Sequence, residues 1–222
     1  MDLSTQTSNV KLLLGLTRVA TLEQLKKYDL TEAVSVLGLP IRGPVTCKTR
    51  TTQPDSLVDL TFVALEAKWL NSPRRDLMHY AGLSELLCLT EAEDGAEWHL
   101  VDLKGREPGR MPDAEIIFPR SVRRHDIFVE FDAGYSRDAV TDKLRAAARS
   151  GYSRVLWACS IHGRLSTIAS IADTLQRTAQ LEGVERLEVV WVDFWSLRDT
   201  YSGRPRCHKP NRVTREYPPR LT

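Results

Sequence analysis

Two stretches, Pro112-Asp113-Ala114 and, after twelve further residues, Ile127-Phe128-Val129-Glu130-Phe131-Asp132, decide how this chain is read. Successive side chains of a β-strand point to opposite faces. Ile127, Val129 and Phe131 therefore share an apolar face, and Phe128, Glu130 and Asp132 share the other. Two carboxylates on one strand face repel unless something pairs with them. A divalent cation would do so. The link from Pro119 to His125 suits a hairpin return, which sets Asp113 beside the Glu130–Asp132 face. A register slip of one residue would drive Glu130 into the apolar layer, at a cost too high for an unpartnered carboxylate. Hard oxygen ligands of this kind suit Mg²⁺ or Mn²⁺.

Outward from this strand, helical and extended patterns alternate. Asp76–Thr90 reads as a helix, then Glu97–Leu103, Ala114–Phe118 and Asp126–Asp132 as strands. Ser136–Ser150 reads as a helix, Arg154–Cys159 as a buried strand, Gly163–Leu181 as a helix and Arg186–Phe194 as a last strand. A three-strand meander followed by alternating helix and strand predicts a mixed sheet flanked by helices, an α/β (α+β) fold. Glu85 lies in an otherwise apolar run, Leu83–Leu89. It is either a helix edge in water or a metal ligand aimed at the sheet. Lys143 shares a helix face with Val140 and Ala147. Its ammonium either orients a water or a phosphate at the carboxylates, or forms a salt bridge to Glu130 or Asp132.

The N-terminal part reads as three short helices and a hairpin. The first helix carries Val10, Leu12, Leu13, Leu14 and Leu16 and ends near Val19. Thr21-Leu22-Glu23-Gln24 fits a capping box that opens a second helix to Tyr28. Thr31 is placed to cap a third, through Leu37. Gly38, Pro40, Gly43 and Pro44 end helical structure. Val45–Thr52 and Leu57–Leu60 then read as hairpin strands, and Phe62–Leu70 as a trailing helix with Phe62, Leu65 and Trp69 on one face. This is the order of a winged helix-turn-helix, which places its third helix in the major groove and its wing on the backbone. The third helix has no Lys or Arg and carries Glu32, which phosphate repels. Basic residues lie in the wing instead, at Arg42, Lys48 and Arg50. The alternative is a three-helix unit that only packs on the rest.

Composition narrows the function classes. The chain has 222 residues, 42% hydrophobic and 27% charged, which excludes wholesale disorder. No apolar run approaches the ~20 residues of a bilayer span, and Met1–Ser8 lacks a secretory apolar region. A cytoplasmic protein with no membrane partner is expected. The four cysteines form no Cys-x-x-Cys pair, against a zinc knuckle or redox motif. Cys88 and Cys159 read as small buried hydrophobes. Net charge is +2, yet residues 198–222 alone carry seven Lys/Arg against Asp199 and Glu216. That Pro-containing basic tail is expected to pack weakly. Arg204, Arg206, Lys209 and Arg212 are its candidates for phosphate neutralisation, unless it only solubilises.

The element order and the pair Pro112-Asp113 … Glu130-Phe131-Asp132 resemble the PD-(D/E)XK nuclease-like fold. That resemblance implies a metal-binding Asp and Glu, with a lysine two residues after the Glu. Here Asp132 stands at that position. In some members of the fold the lysine comes from the next helix, which makes Lys143 the candidate. Over roughly residues 10–195 the chain is also similar to the replication-relaxation family of plasmids, phages and mobile elements. The segments that carry this are Leu13–Leu25, Asp59-Leu60-Thr61, the helix with His79 and Glu85, Pro112-Asp113-Ala114, Glu130–Gly134 and Lys143-Leu144.

The resemblance implies a winged helix over 1–71, a nuclease-like domain over 72–197 and the basic tail over 198–222, with double-stranded DNA as partner. Asp113, Glu130 and Lys143 are the implied catalytic residues. Glu85, Asp113, Glu130 and Asp132 are the candidate ligands of Mg²⁺ or Mn²⁺. The expectation is a DNA-binding protein of plasmid or phage replication or mobilisation whose nuclease-like domain is degenerate. The competing readings are a metal-dependent DNA endonuclease or nickase, and a non-enzymatic interaction scaffold. Winged-helix proteins often dimerise on two-fold sites, so a homodimer is a further expected partner.

Overall fold

The computed structural model describes residues 1–48, 57–90, 95–101, 111–119, 125–195 and 212–218. The chain is mixed α and β, in two compact units. One unit comprises Met1–Thr90 with Val192–Lys209, and the other Glu91–Trp191 with Pro210–Thr222. Helix Arg74–Leu89 thus groups with the N-terminal elements, whereas the sequence reading put it after the 71/72 boundary.

The first unit begins with α1 (Leu3–Thr17), capped by Asp2, whose carboxylate accepts from the Thr5 amide. The short strand β1 (Val19–Thr21) follows, where the sequence reading extended the helix to Val19. Thr21 then caps α2 (Leu22–Lys27), and Gln24 reaches back to the Thr21 amide, so the expected capping box is present. Helix α3 (Thr31–Val36) has Leu30, not Thr31, at its N-cap position and no side-chain cap. Val10, Leu13 and Leu14 of α1 close on Leu25, Ala33 and Val34 to form the core.

Strands β2 (Ile41–Lys48) and β3 (Leu57–Ala64) pair antiparallel, and β3 also pairs with β1, giving the order β1-β3-β2. This corrects the helix expected over Phe62–Leu70. Phe62 and Val63 are fully buried strand residues, and only α4 (Ala67–Leu70) is helical. The register shifts between Arg42 and Val45. At Gly43, between them, an added Cβ would lie 2.6 Å from Thr61 Oγ1 and 2.8 Å from Thr61 Cα. Only glycine permits that approach. Helix α5 (Arg74–Leu89) completes the described helices of this unit.

The second unit is a six-stranded mixed sheet in the order β4-β5-β6-β7-β8-β9. Strands β4 (Glu97–Leu100), β5 (Ala114–Ile117) and β6 (Ile127–Asp132) form the antiparallel meander. Strands β6, β7 (Arg154–Cys159) and β8 (Arg186–Trp191) run parallel. Helices α6 (Arg137–Arg149) and α7 (Arg164–Arg177) make the crossovers. Val140, Leu144 and Ala147 of α6 and Leu165, Ile168 and Ala172 of α7 pack with Phe128, Val155, Trp157, Leu187 and Val189 of the sheet. Central strands buried on both faces are expected to be nearly continuously apolar. Strand β6 is buried at all six positions and breaks that pattern at Glu130 and Asp132.

The C-terminal stretch departs from the expected weakly packed tail. Arg212–Glu216 forms β9, antiparallel to β8, and Tyr217 joins the core of this unit. Arg215 and Tyr217 both hold Asp173 of α7. No described helix is long and apolar enough to cross a membrane.

Candidate active site

Asp113 stands one residue before β5, and the hairpin register places it opposite Glu130. Ala114 pairs with Val129, the Asp113 amide donates to Val129 O at 2.9 Å, and Asp113 Oδ2 accepts from the Phe131 amide at 2.8 Å. The expected register therefore holds. Lys143 is the third member. Its place on α6, three residues after Val140 and four before Ala147, puts it on the buried stripe of an amphipathic helix. Its ammonium lies 2.6 Å from Glu130 Oε1, 3.8 Å from Asp113 Oδ1 and 3.3 Å from Met111 O. One nitrogen thus reaches both carboxylates.

The cluster is enclosed. Glu130 is fully buried, Asp113 is 5% exposed and Lys143 9%. Neither Glu130 oxygen makes a hydrogen bond of ordinary geometry among the described residues, so the contact to Lys143 is a close ion pair without good alignment. Burial first, then the charge of Asp113, pushes the Glu130 carboxyl well above the ordinary carboxylate range, against the pull of Lys143. Among the described residues one ammonium meets two carboxylates there, and removal from water favours the protonated form of the more deeply buried one.

The other expected ligands are committed elsewhere. Asp132 is fully buried, but its Oδ2 accepts from Arg164 Nε at 2.9 Å and Nη2 at 2.6 Å. Its Oδ1 accepts the Gly134 and Tyr135 amides, each at 2.6 Å. Arg164 therefore neutralises the charge of Asp132. Glu85 belongs to the first unit. It is fully buried there, held by Lys27, by the Tyr28 hydroxyl at 2.9 Å and by Gln24 Nε2 at 3.2 Å. Each of these two candidate ligands thus has partners of its own within its unit. Among the described residues no group of three or more His, Cys, Asp or Glu side chains is placed to hold a metal ion. Asp113 and Glu130 remain, with a buried, poorly aligned oxygen pair at Glu130. Mg²⁺ usually takes one or two carboxylates from a protein, water and phosphate supplying the rest.

Sequence reading missed Tyr135 and Arg164. The Tyr135 ring lies with its centroid 5.7 Å from Lys143 Nζ. Burial, then Glu130 and Asp113, raises the pKa of its hydroxyl strongly, so Tyr135 stays a neutral phenol. An Asp followed by Gly two residues on is an Asx-turn signature that could have located this loop. Nothing local points to Arg164, which is brought in by the β7–α7 crossover.

The expected DNA-contacting residues divide. Lys48 is exposed at the end of β2. Arg42 is turned to the backbone, donating to Leu70 O and, at 3.0 Å, to Ser72 O. Arg212 pairs with Glu188 at 2.7 Å. Arg50, Arg204, Arg206 and Lys209 lie outside the described residues. The chain matches no protein-family model, no curated protein and no solved structure.

Proposed function

We propose that this chain is a DNA-binding protein of plasmid or phage replication or mobilisation, a winged helix-turn-helix followed by a PD-(D/E)XK nuclease-like domain. The observation that carries DNA binding is the arrangement α1-β1-α2-α3-β2-β3 with sheet order β1-β3-β2. That arrangement offers a helix for the major groove and a hairpin for the backbone. Helix α3 carries no Lys or Arg, so the affinity rests on phosphate contacts by the hairpin and the basic C-terminal stretch, and sequence selectivity is modest. Duplex titration at two salt concentrations tests this. Affinity should fall steeply with salt, as counterion release requires. Absence of binding at low salt would refute it.

The nuclease-like half of the reading is supported by the meeting of Asp113, Glu130 and Lys143. In this reading the centre is degenerate. Position 132 carries an Asp held by Arg164, and Lys143 already counters both carboxylates. A second reading, a metal-dependent endonuclease or nickase, is favoured by that same meeting of an ammonium with two buried carboxylates. Asp113 and Glu130 would then hold Mg²⁺ or Mn²⁺, which when bound polarises a phosphodiester as a Lewis acid. Lys143 would orient a water or a phosphate oxygen beside it. Plasmid nicking with either ion, beside Asp113→Ala and Glu130→Ala, separates the readings. Nicking abolished by both substitutions supports the second, and no nicking with either ion rules against it.

A further inference from the structure

We propose that Tyr135 is a positioning residue for Lys143 in the Asp113–Glu130–Lys143 cluster, and that the Asp132–Arg164 pair fixes Tyr135 in place. The inference rests on reading that cluster as a nuclease-like centre.

The backbone of Tyr135 is held at both polar groups. Its amide donates to Asp132 Oδ1 at 2.6 Å, and its carbonyl accepts from Arg164 Nη2 at 2.8 Å. The same Nη2 and the Nε of Arg164 bind Asp132 Oδ2. One carboxylate and one guanidinium therefore join the end of β6, the first residue of α7 and the loop before α6. Ser136, the next residue, caps α6 by accepting the Ala139 amide, so the loop is fixed against the helix that bears Lys143. The Tyr135 ring in turn stands edge-on to Trp157, with centroids 6.4 Å apart and planes at 90°. Trp157 is fully buried and cannot yield easily.

The consequence falls on Lys143. A lysine has a long flexible stem with three rotatable donors, and its ammonium is drawn to an aromatic face. The ring of Tyr135 faces that ammonium from one side while Asp113 and Glu130 attract it from another. Asp132 sits where the nuclease-like pattern has its own lysine. Here that residue supports the loop whose tyrosine meets the lysine of the next helix. The displaced lysine and the acidic residue at 132 are two parts of one arrangement.

The test uses the full chain with ¹³C-labelled lysine, the Lys143 signal being assigned by its loss in Lys143→Arg. The Lys143 ε-methylene protons should resonate upfield of the other lysines through the Tyr135 ring current. Tyr135→Leu should abolish the shift, and Tyr135→Phe should keep it. Arg164→Ala should reduce it although Arg164 does not touch Lys143. Asp132→Asn provides the same test should Arg164→Ala fail to fold. A Lys143 signal unmoved in folded Tyr135→Leu, or unmoved in a folded Arg164→Ala or Asp132→Asn protein, overturns the proposal. Mn²⁺ titration supplies the functional arm: affinity should drop several-fold in Tyr135→Leu and hold in Tyr135→Phe, and equal affinity in both overturns the proposal. Absence of Mn²⁺ binding by the unsubstituted protein would defeat the metal reading of the site, while the NMR arm still decides the positioning.

Discussion

The Lys143 ammonium sits 2.6 Å from Glu130 Oε1 and 3.8 Å from Asp113 Oδ1, out of reach of most solvent. Removing that cation takes the nearby positive charge from two buried carboxyl groups, so Glu130 must stay protonated or face Asp113 without it. Lys143→Met should therefore destabilise the protein by about 3–5 kcal/mol, the usual result of breaking a buried ion pair from one side. Adding Glu130→Gln should recover part of the loss. Urea denaturation of the single and double variants measures both effects, and a Lys143→Met change under about 1 kcal/mol would contradict the ion pair's role.

The pH dependence of stability follows from the raised pKa of Glu130. In the unfolded chain this group has its ordinary value of 4.5, and in the folded protein it holds its proton to higher pH. Its contribution is complete below the unfolded value and is lost as pH rises through the folded one. Glu130→Gln has no such proton to lose. The variant should gain on the native protein as pH rises above 4.5, by at most about 1.4 kcal/mol per pH unit. Urea midpoints compared from pH 5 to pH 8 check the sign.

Glu85 has an ion-pair partner in Lys27, whose side chain is 24% exposed. That exposure lowers the worth of the pair below that of a fully buried one. Lys27→Met should cost about 1–3 kcal/mol, since Glu85 keeps Tyr28 and Gln24. Because Glu85 serves the first unit, Mn²⁺ titration of this variant should match the native protein. A matching loss of Mn²⁺ affinity would return Glu85 to the ligand set.

Gly43 lies too close to Thr61 for any side chain. Gly43→Ala should destabilise by about 1–3 kcal/mol, as overpacking does. Adding Thr61→Ala removes the contact with Oγ1 but not that with Cα, so the double variant should stay less stable than Thr61→Ala alone. Thermal denaturation of the three variants tests this.

Much of the second unit was legible because strand periodicity and burial agree there. Arg154–Cys159 was read with its observed ends, and the alternation of Glu130 with Phe131 set both the face and the register. The helix expected over Phe62–Leu70 failed for a local reason. Phe62, Leu65 and Trp69 fall at helical spacing, while Thr61 and Val63 are equally at home in a strand. Pairing with both β1 and β2 decided the matter, and neither partner is visible from within the segment. Strand β9 was hidden by its charges. Arg212, Arg215 and Glu216 read as a solvated tail, and only Glu188, Asp173 and the free edge of β8 make them a strand. At the site, the meeting of Asp113, Glu130 and Lys143 could be read because Glu130 and Lys143 lie on regular elements and Asp113 immediately precedes one. The commitments of Asp132 and Glu85 could not, since Arg164 and Lys27 are distant in sequence.

The last described strand bears on how the chain can be cut. Strand β9 covers the outer edge of β8 from Arg186 to Val190. A protein shortened before Arg212 would present that edge, with Val189 and Val190, to any chain able to add a strand. Such a fragment invites self-association, which would mimic or mask a change in DNA affinity. The positive charges of this stretch are therefore better neutralised one at a time, at Arg204, Arg206 and Lys209, in a chain that keeps its final strand.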